Sequence, residues 1–358
     1  MMCRASVAGI VLLYMLFGAA ASQDVAKPAP SKEALTLMFD ELPDMNALTR
    51  VATLGATRYA IIYQSVDPNA GKTGLIDPNA LIQGIANQTS GELPIYAMLD
   101  FEDPFMDALQ KGPDSPDCQR TVKTMVNAIS AVKQAFPSTK WTYYGTPWLP
   151  YWLEGGTDWV GAPDSVKRAA LERAVAIYAP IVAEEDWISP TIYPKYDPTL
   201  LPTMSPSLVV EQGRAWRAAQ VGLSKLLGRG KPVIPNVCTW WTPGGRAEFC
   251  TVVKPRQFME DQILPAVAAG ATGFALWGAI PYTIDRVTAI DQAKYSKEKN
   301  FGTPEWRAAI VKDYFGGVKP EDWAAPTVRQ RLVSDMSRTM ADAIVNIRSW
   351  EKLQTLPP

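Results

Sequence analysis

The chain has 358 residues, 47% hydrophobic and 20% charged, with a formal net charge of -1. These values exclude a disordered chain, a collagen-like repeat and a basic protein that coats nucleic acid. It contains no histidine, so Ser-His-Asp and Cys-His nucleophiles, His-ligated zinc and imidazole acid-base chemistry are excluded as well.

In chain order, residues 1–22 read as a secretory signal peptide. Arg4 is the only charge, Val7 to Phe17 are apolar, and Gly18-Ala19-Ala20-Ala21-Ser22 offers a small-residue cleavage site. The apolar core is shorter than the roughly 20 residues a spanning helix needs, which implies export and cleavage with no membrane attachment afterwards. A secreted or periplasmic location follows, and with it an oxidising compartment. Once Cys3 leaves with the signal, Cys118, Cys238 and Cys250 remain. Cys238 and Cys250 flank one loop and are the expected disulfide, leaving Cys118 free or paired between chains. Asn87-Gln88-Thr89 fits the N-glycosylation pattern.

Residues 23–34 form a flexible polar leader, 35–323 the main domain, and 324–358 a C-terminal helix packed outside it. Runs rich in Val, Ile, Tyr and Trp at Leu35–Phe39, Arg58–Tyr63, Pro94–Asp100, Trp141–Gly145, Ile188–Tyr193, Pro232–Trp240 and Gly273–Trp277 predict strands. Amphipathic stretches at Asp117–Phe136, Asp164–Ala183, Pro206–Leu227 and Pro255–Ala269 predict helices. Strand-helix alternation implies parallel strands. Seven units over about 250 residues predict an α/β fold, a distorted (β/α) TIM-type barrel with about seven parallel strands. No Gly-x-Gly-x-x-Gly follows the first strand, so a dinucleotide fold is not expected, and no cofactor is implied.

Reactive groups of such a barrel sit where its strands end. Asp40 and Glu41 follow the first strand, and Asp100 and Glu102 end the third. Two residues apart on a strand, Asp100 and Glu102 leave the same face with alpha carbons roughly 6.6 Å apart. Carboxylates that close raise the pKa of one, which stays protonated as a general acid must; the longer Glu102, nearer the strand end, is the expected acid. Asp103 should face the other way, so the acids do not form a metal site. The same rim gathers Tyr144, Trp148, Trp152, Tyr193, Trp240, Trp241 and Trp277, whose faces suit sugar rings. Lys195, Arg246 and Arg286 lie nearby without forming a clear basic groove.

Several segments, in order, resemble the hyaluronidases, glycoside hydrolase family 56. Ala97-Met98-Leu99-Asp100-Phe101-Glu102 is similar to the family's Asp-Trp-Glu strand, and Trp141-Thr142-Tyr143-Tyr144-Gly145-Thr146-Pro147 to its Trp-Gly-aromatic-Tyr-Gly-x-Pro. Ser189-Pro190-Thr191-Ile192-Tyr193 resembles its Pro-Ser-Ile-Tyr. Pro232-Val233-Ile234-Pro235 leading to Trp241 resembles a segment ending in an active-site Tyr, and Ala269 to Gly278 resembles its Gly-x-x-Leu-Trp-Gly. The resemblance implies substrate-assisted, retaining hydrolysis of an N-acetylhexosaminide in a polysaccharide, in which the sugar's acetamido oxygen is the nucleophile. It makes Glu102 the acid/base and Asp100 the group that holds the acetamido N–H. Tyr193 would align the acetamido group, Trp277 would wall it, and Tyr144 and Trp241 would line the cleft. Two positions depart from the family: Phe101 stands for a Trp and Trp241 for a Tyr. Two other readings remain open, a retaining glycosidase with Asp40 or Glu41 as nucleophile and a carbohydrate-binding barrel without activity.

Overall fold

The computed structural model describes residues 34–40, 42–195, 205–239, 253–278 and 325–355. The signal peptide, nearly all of the leader, Glu41, Trp240, Trp241, Arg246, Cys250 and Arg286 lie outside them.

Six strands form one parallel sheet: β1 (Thr36–Phe39), β2 (Thr57–Tyr63), β3 (Tyr96–Asp100), β4 (Lys140–Tyr143), β5 (Asn236–Val237) and β6 (Gly273–Leu276). Their order is β4-β3-β2-β1-β6-β5, and the sheet curls into a half-barrel with helices outside it. Register is continuous from Met38↔Thr57 and Phe39↔Leu276 through Tyr63↔Asp100 to Leu99↔Tyr143.

The period of two along each strand separates two cores. Met38, Tyr59, Met98, Trp187, Ile234 and Ala275 pack together inside the curl, with Ile61, Tyr96 and Tyr144 against them. Leu37, Phe39, Ile62, Ala97, Leu99, Trp141, Tyr143, Phe274 and Leu276 join the helix-facing core. Strands covered on both faces are nearly continuous in apolar residues, as the β3 run shows.

The helices are α1 (Met45–Thr53), α2 (Pro78–Thr89), α3 (Phe105–Gln110), α4 (Pro116–Ala135), α5 (Asp164–Glu184) and α6 (Pro206–Gly228). They are followed by three contiguous pieces, Pro255–Gln257, Phe258–Ile263 and Leu264–Ala269, here α7, and by α8 (Pro326–Thr355). Their starts are written locally. Asp44 caps α1 by accepting from Ala47 N at 2.9 Å, and Ser205 caps α6 ahead of Pro206 by accepting from Leu208 N. The expected helices over 117–136, 164–183 and 206–227 match α4, α5 and α6 within a residue. The stretch 255–269 is one continuous rod, but Phe258–Ile263 is wound as a π-helix. Pro265 has no N–H to give the preceding turn, which accounts for the wider winding there.

The expected fifth strand, Ile188–Tyr193, is a correction: this segment makes only two isolated parallel bridges, Ile188↔Val233 and Thr191↔Asn236. Pro190, Pro232 and Pro235 remove amide donors that a ladder needs. On its other side, carboxylates replace the ladder. The N–H groups of Trp141 and Tyr143 in β4 donate to Asp186 Oδ2 and Glu185 Oε1, each at 2.9 Å, while Asp186 N donates to Trp141 O at 2.8 Å and Gly145 N to Ser189 O at 3.0 Å. The sixth expected run is also shortened, from 232–240 to Asn236–Val237.

The last helix, α8, lies across α1 and the entry to β1. Arg348 donates to Leu35 O at 2.9 Å and Leu54 O at 3.0 Å, Glu351 accepts from Leu35 N, and Arg50 pairs with Asp342 at 2.6 Å.

Candidate active site

The parallel register brings all strand C-terminal ends to one rim. Asp100 ends β3 on the inward period, with Met98 below it in the inner core. Its Oδ1 is buried and has no hydrogen-bond partner among the described residues. Burial, and then the charge of Glu102, push its pKa up to about 8. Glu102, two residues on, stands at the solvent side of the rim. Its pKa is also raised, by burial and then by Asp103, while the ammonium of Lys195 pulls it down. Both carboxyls are thus driven toward the protonated form, and Asp100 is the more deeply buried of the two.

Three aromatic rings run beside the pair. Tyr144, directly after β4, lies 6.3 Å from Tyr193, and Tyr193 stacks on Trp277 at 5.5 Å with 20° between planes. Burial, then the charges of Asp100 and Glu102, push the Tyr144 hydroxyl up, and hydrogen bonds with Tyr193 and Thr191 oppose the rise. The Tyr193 hydroxyl is buried and faces that of Tyr144 as a hydrogen-bonding neighbour. Asp100, Glu102, Tyr144, Tyr193 and Trp277 thus meet at one rim, and Trp241 lies outside the described residues. Lys195 is packed over the Trp216 ring at 5.9 Å, and burial lowers its pKa.

Phe101, where the resemblance has a Trp, is buried on the opposite face. It meets Phe105 edge-on at 5.3 Å and Tyr143 at 6.3 Å. The departure sits in the helix-facing core, away from the rim.

Asp40, a possible nucleophile from the sequence, is buried and its Oδ1 accepts from Gly278 N at 2.8 Å. A Cβ added to Gly278 would fall 3.0 Å from that oxygen and 2.6 Å from Met340 Sδ, so the backbone after Trp277 is clamped between β1 and α8. Asp40 positions the stretch that carries Trp277. Trp152 meets Tyr151 edge-on at 5.1 Å, and Trp148 packs on the core, so neither is a bare platform. Cys238 is buried; no disulfide forms among the described residues, and its expected partner Cys250 lies outside them. Cys118 is buried on α4.

Sequence reading passed over the polar groups beneath the rim. The Tyr59 hydroxyl and Asn236 Oδ1 are buried and unpartnered among the described residues, like Asp100 Oδ1, and the Thr191 and Tyr193 hydroxyls lie against that of Tyr144. The available signal was a hydroxyl or amide at inward positions of otherwise apolar runs. Glu185, which serves the β4 edge, was missed for a different reason: it lies at a helix end, and only the fold brings it to a strand.

No family model matches the chain, and no curated protein matches it. Among solved structures, bee venom hyaluronidase is similar at 15% identity with a TM-score of 0.47, over 73% of this chain and 95% of that one. The same enzyme in complex with a hyaluronic acid tetramer is similar at 14% identity, TM-score 0.46, over 68% and 90%. An endo-1,4-beta-D-mannanase from Thermotoga petrophila is similar at 12% identity, TM-score 0.37, over 65% and 67%. All three are likenesses of backbone path.

Proposed function

We propose that the chain is a secreted glycoside hydrolase that cleaves β-linked N-acetylhexosaminides of a hyaluronan-like polysaccharide by substrate-assisted, retaining hydrolysis. One observation carries the reading: two carboxyls two residues apart at the strand-end rim of the half-barrel, both with raised pKa, beside a row of three aromatic rings.

In this reading Glu102 gives its proton to the glycosidic oxygen as the acetamido oxygen attacks C1, closing an oxazolinium ring and releasing the leaving sugar. Asp100, ionised at that moment, accepts the acetamido N–H and offsets the positive charge. Glu102, now a carboxylate, takes a proton from the water that reopens the ring at C1, which regenerates the acid and retains the anomer. Burial favours a proton on either carboxyl, and the productive arrangement needs it on Glu102. An acetamido N–H presented to Asp100 favours this arrangement, because it hydrogen-bonds the ionised carboxylate. Tyr144 and Tyr193 orient the acetamido group and Trp277 excludes water from it. The bond between Asp40 and Gly278 N is why Asp40 is not given the nucleophile's role.

The test is incubation with hyaluronan, chondroitin and chitin oligosaccharides, measuring new reducing ends. Cleavage of one or more is expected, with about a thousandfold lower turnover in Glu102→Gln and oligosaccharide binding retained. A thiazoline that mimics the cyclised acetamido group should inhibit tightly. Cleavage without thiazoline inhibition would assign a protein nucleophile instead, and binding without any cleavage would make the chain a carbohydrate-binding barrel.

A further inference from the structure

β4 is an edge strand of the sheet, and side chains bond its open side where a neighbouring strand would offer carbonyls. Asp186 Oδ2 accepts from Trp141 N, and Glu185 Oε1 accepts from Tyr143 N two residues nearer the rim, each at 2.9 Å. The two carboxyls differ in their surroundings. Asp186 is partly exposed and pairs with Lys133 Nζ at 2.7 Å. Glu185 is fully buried and makes no ion pair among the described residues. The ammonium groups around it are held by carbonyls: Lys133 donates to Glu184 O at 2.7 Å, and Lys231 to the backbone oxygens of Val182, Ala183 and Glu185 at 2.9, 2.7 and 2.6 Å. A carboxyl in such a place is costly unless it is neutral or well supplied with donors. Glu185 has a second donor that Asp186 lacks, because its Oε1 also accepts from the Thr146 hydroxyl, and the Thr142 hydroxyl lies against the same carboxyl.

These two bonds bracket Tyr144. Its own N–H donates to Leu99 O in β3 at 2.9 Å, and Gly145, at φ +70°, turns the chain and donates to Ser189 O at 3.0 Å. Thr146 is fully buried, so solvent does not stand in for the carboxyl there. We propose that Glu185 is a positioning residue for Tyr144: its Oε1, bonded to Tyr143 N before the tyrosine and to the Thr146 hydroxyl after it, sets where that ring stands at the rim. The role needs an acceptor and not a charge. Burial pushes the Glu185 pKa up to about 7, and a neutral carboxyl still accepts through its carbonyl oxygen. Gln therefore preserves the role and Ala removes it. The kinetic consequence rests on the proposed reaction, in which Tyr144 orients the acetamido group, but the placement of Tyr144 can be read without any turnover.

The experiment compares Glu185→Ala, Glu185→Gln and Asp186→Ala, the last removing the corresponding acceptor further down the same edge. In protein labelled with ring 13C tyrosine, with Tyr144 assigned by Tyr144→Phe and spectra taken below the Glu185 pKa of about 7, the Tyr144 resonance should shift in Glu185→Ala and stay in place in the other two. On a cleaved oligosaccharide, kcat of Glu185→Ala should fall about tenfold with KM within about twofold, because a displaced orienting group is felt mainly in the transition state. Glu185→Gln should restore kcat, and Asp186→Ala should lower the melting temperature while kcat per folded molecule holds. A Tyr144 resonance that stays in place in Glu185→Ala, or that shifts as far in Asp186→Ala, overturns the proposal and leaves Glu185 as support for the β4 edge alone. A wild-type chain that cleaves none of the oligosaccharides removes the proposed function, while the resonance still decides the role of Glu185. Should Glu185→Ala fail to fold, Thr146→Val deletes one of the two donors and leaves the Tyr143 bond; the Tyr144 resonance should shift there too, and its constancy overturns the proposal.

Discussion

At the scale of single residues, the depth difference between Asp100 and Glu102 does most of the chemical work. Asp100 has a native pKa of about 8, well above that of an unfolded carboxyl. The folded state therefore binds its proton more tightly, so the stability that goes with this group is complete below about pH 4 and is lost as pH rises toward 8. Asp100→Asn should flatten the fall in melting temperature across that window while it abolishes most turnover; scanning calorimetry at pH 4, 6 and 8 checks the first. Phe101 yields the opposite kind of prediction. Its ring packs on Phe105 and Tyr143 in the helix-facing core, so Phe101→Trp should overpack that layer and cost about 1–3 kcal/mol by denaturant unfolding. Turnover per folded molecule should not change. Period two on one strand made the Asp100–Glu102 face legible from the sequence, but their relative depth depends on how far the curled sheet covers β3.

At the scale of elements, the expected fifth strand that does not form explains how the rim is held. Glu185 and Asp186 accept the β4 amides that a strand would have bonded, and Glu185 also accepts from the Thr146 hydroxyl in the turn carrying Tyr144. Burial raises the Glu185 pKa to about 7, opposed by the Thr146 and Tyr143 donors. The raised value again means stability held below about pH 4.5 and lost through pH 7. Glu185→Gln should reduce the drop in melting temperature between pH 4.5 and 8, and Glu185→Ala should destabilise at every pH by about 1–3 kcal/mol because Tyr143 N loses its acceptor in a buried place. The strand was expected because Ile188, Ile192 and Tyr193 have strand propensity. Its prolines argue against a ladder, yet proline alone does not reveal that the carboxylates of Glu185 and Asp186, eight and seven residues before Tyr193, would substitute for amides. Gly278 is an element-scale clamp: Gly278→Ala should push against Met340 and Asp40, displace Trp277 and lower kcat more than it lowers the melting temperature.

At the scale of the whole molecule, α8 ties the chain's end to its beginning. Arg348 binds the carbonyls of Leu35 and Leu54 while paired to Glu351, itself accepting from Leu35 N. Arg348→Ala should cost about 1.5–3 kcal/mol in denaturant unfolding, since two charge-assisted carbonyl bonds are lost. The rim is remote from these contacts, so KM should stay constant in the folded fraction. Tertiary packing supplies the partners here: nothing near position 348 announces that Leu35, more than 300 residues away, is its acceptor.

The pattern of the chain by itself determined that strands and helices alternate, that the strands run parallel, and that Asp100, Glu102, Tyr144 and Trp277 stand at strand ends. These follow from periodicity and from the direction of parallel crossovers, both local properties of the covalent order. Tertiary structure decided which acid is the deeper, that Asp40 accepts from the Gly278 amide, and that among the described residues six strands rather than seven form the sheet. Each of those depends on desolvation or on a hydrogen bond between residues far apart in the chain, and neither quantity exists until the sheet has curled.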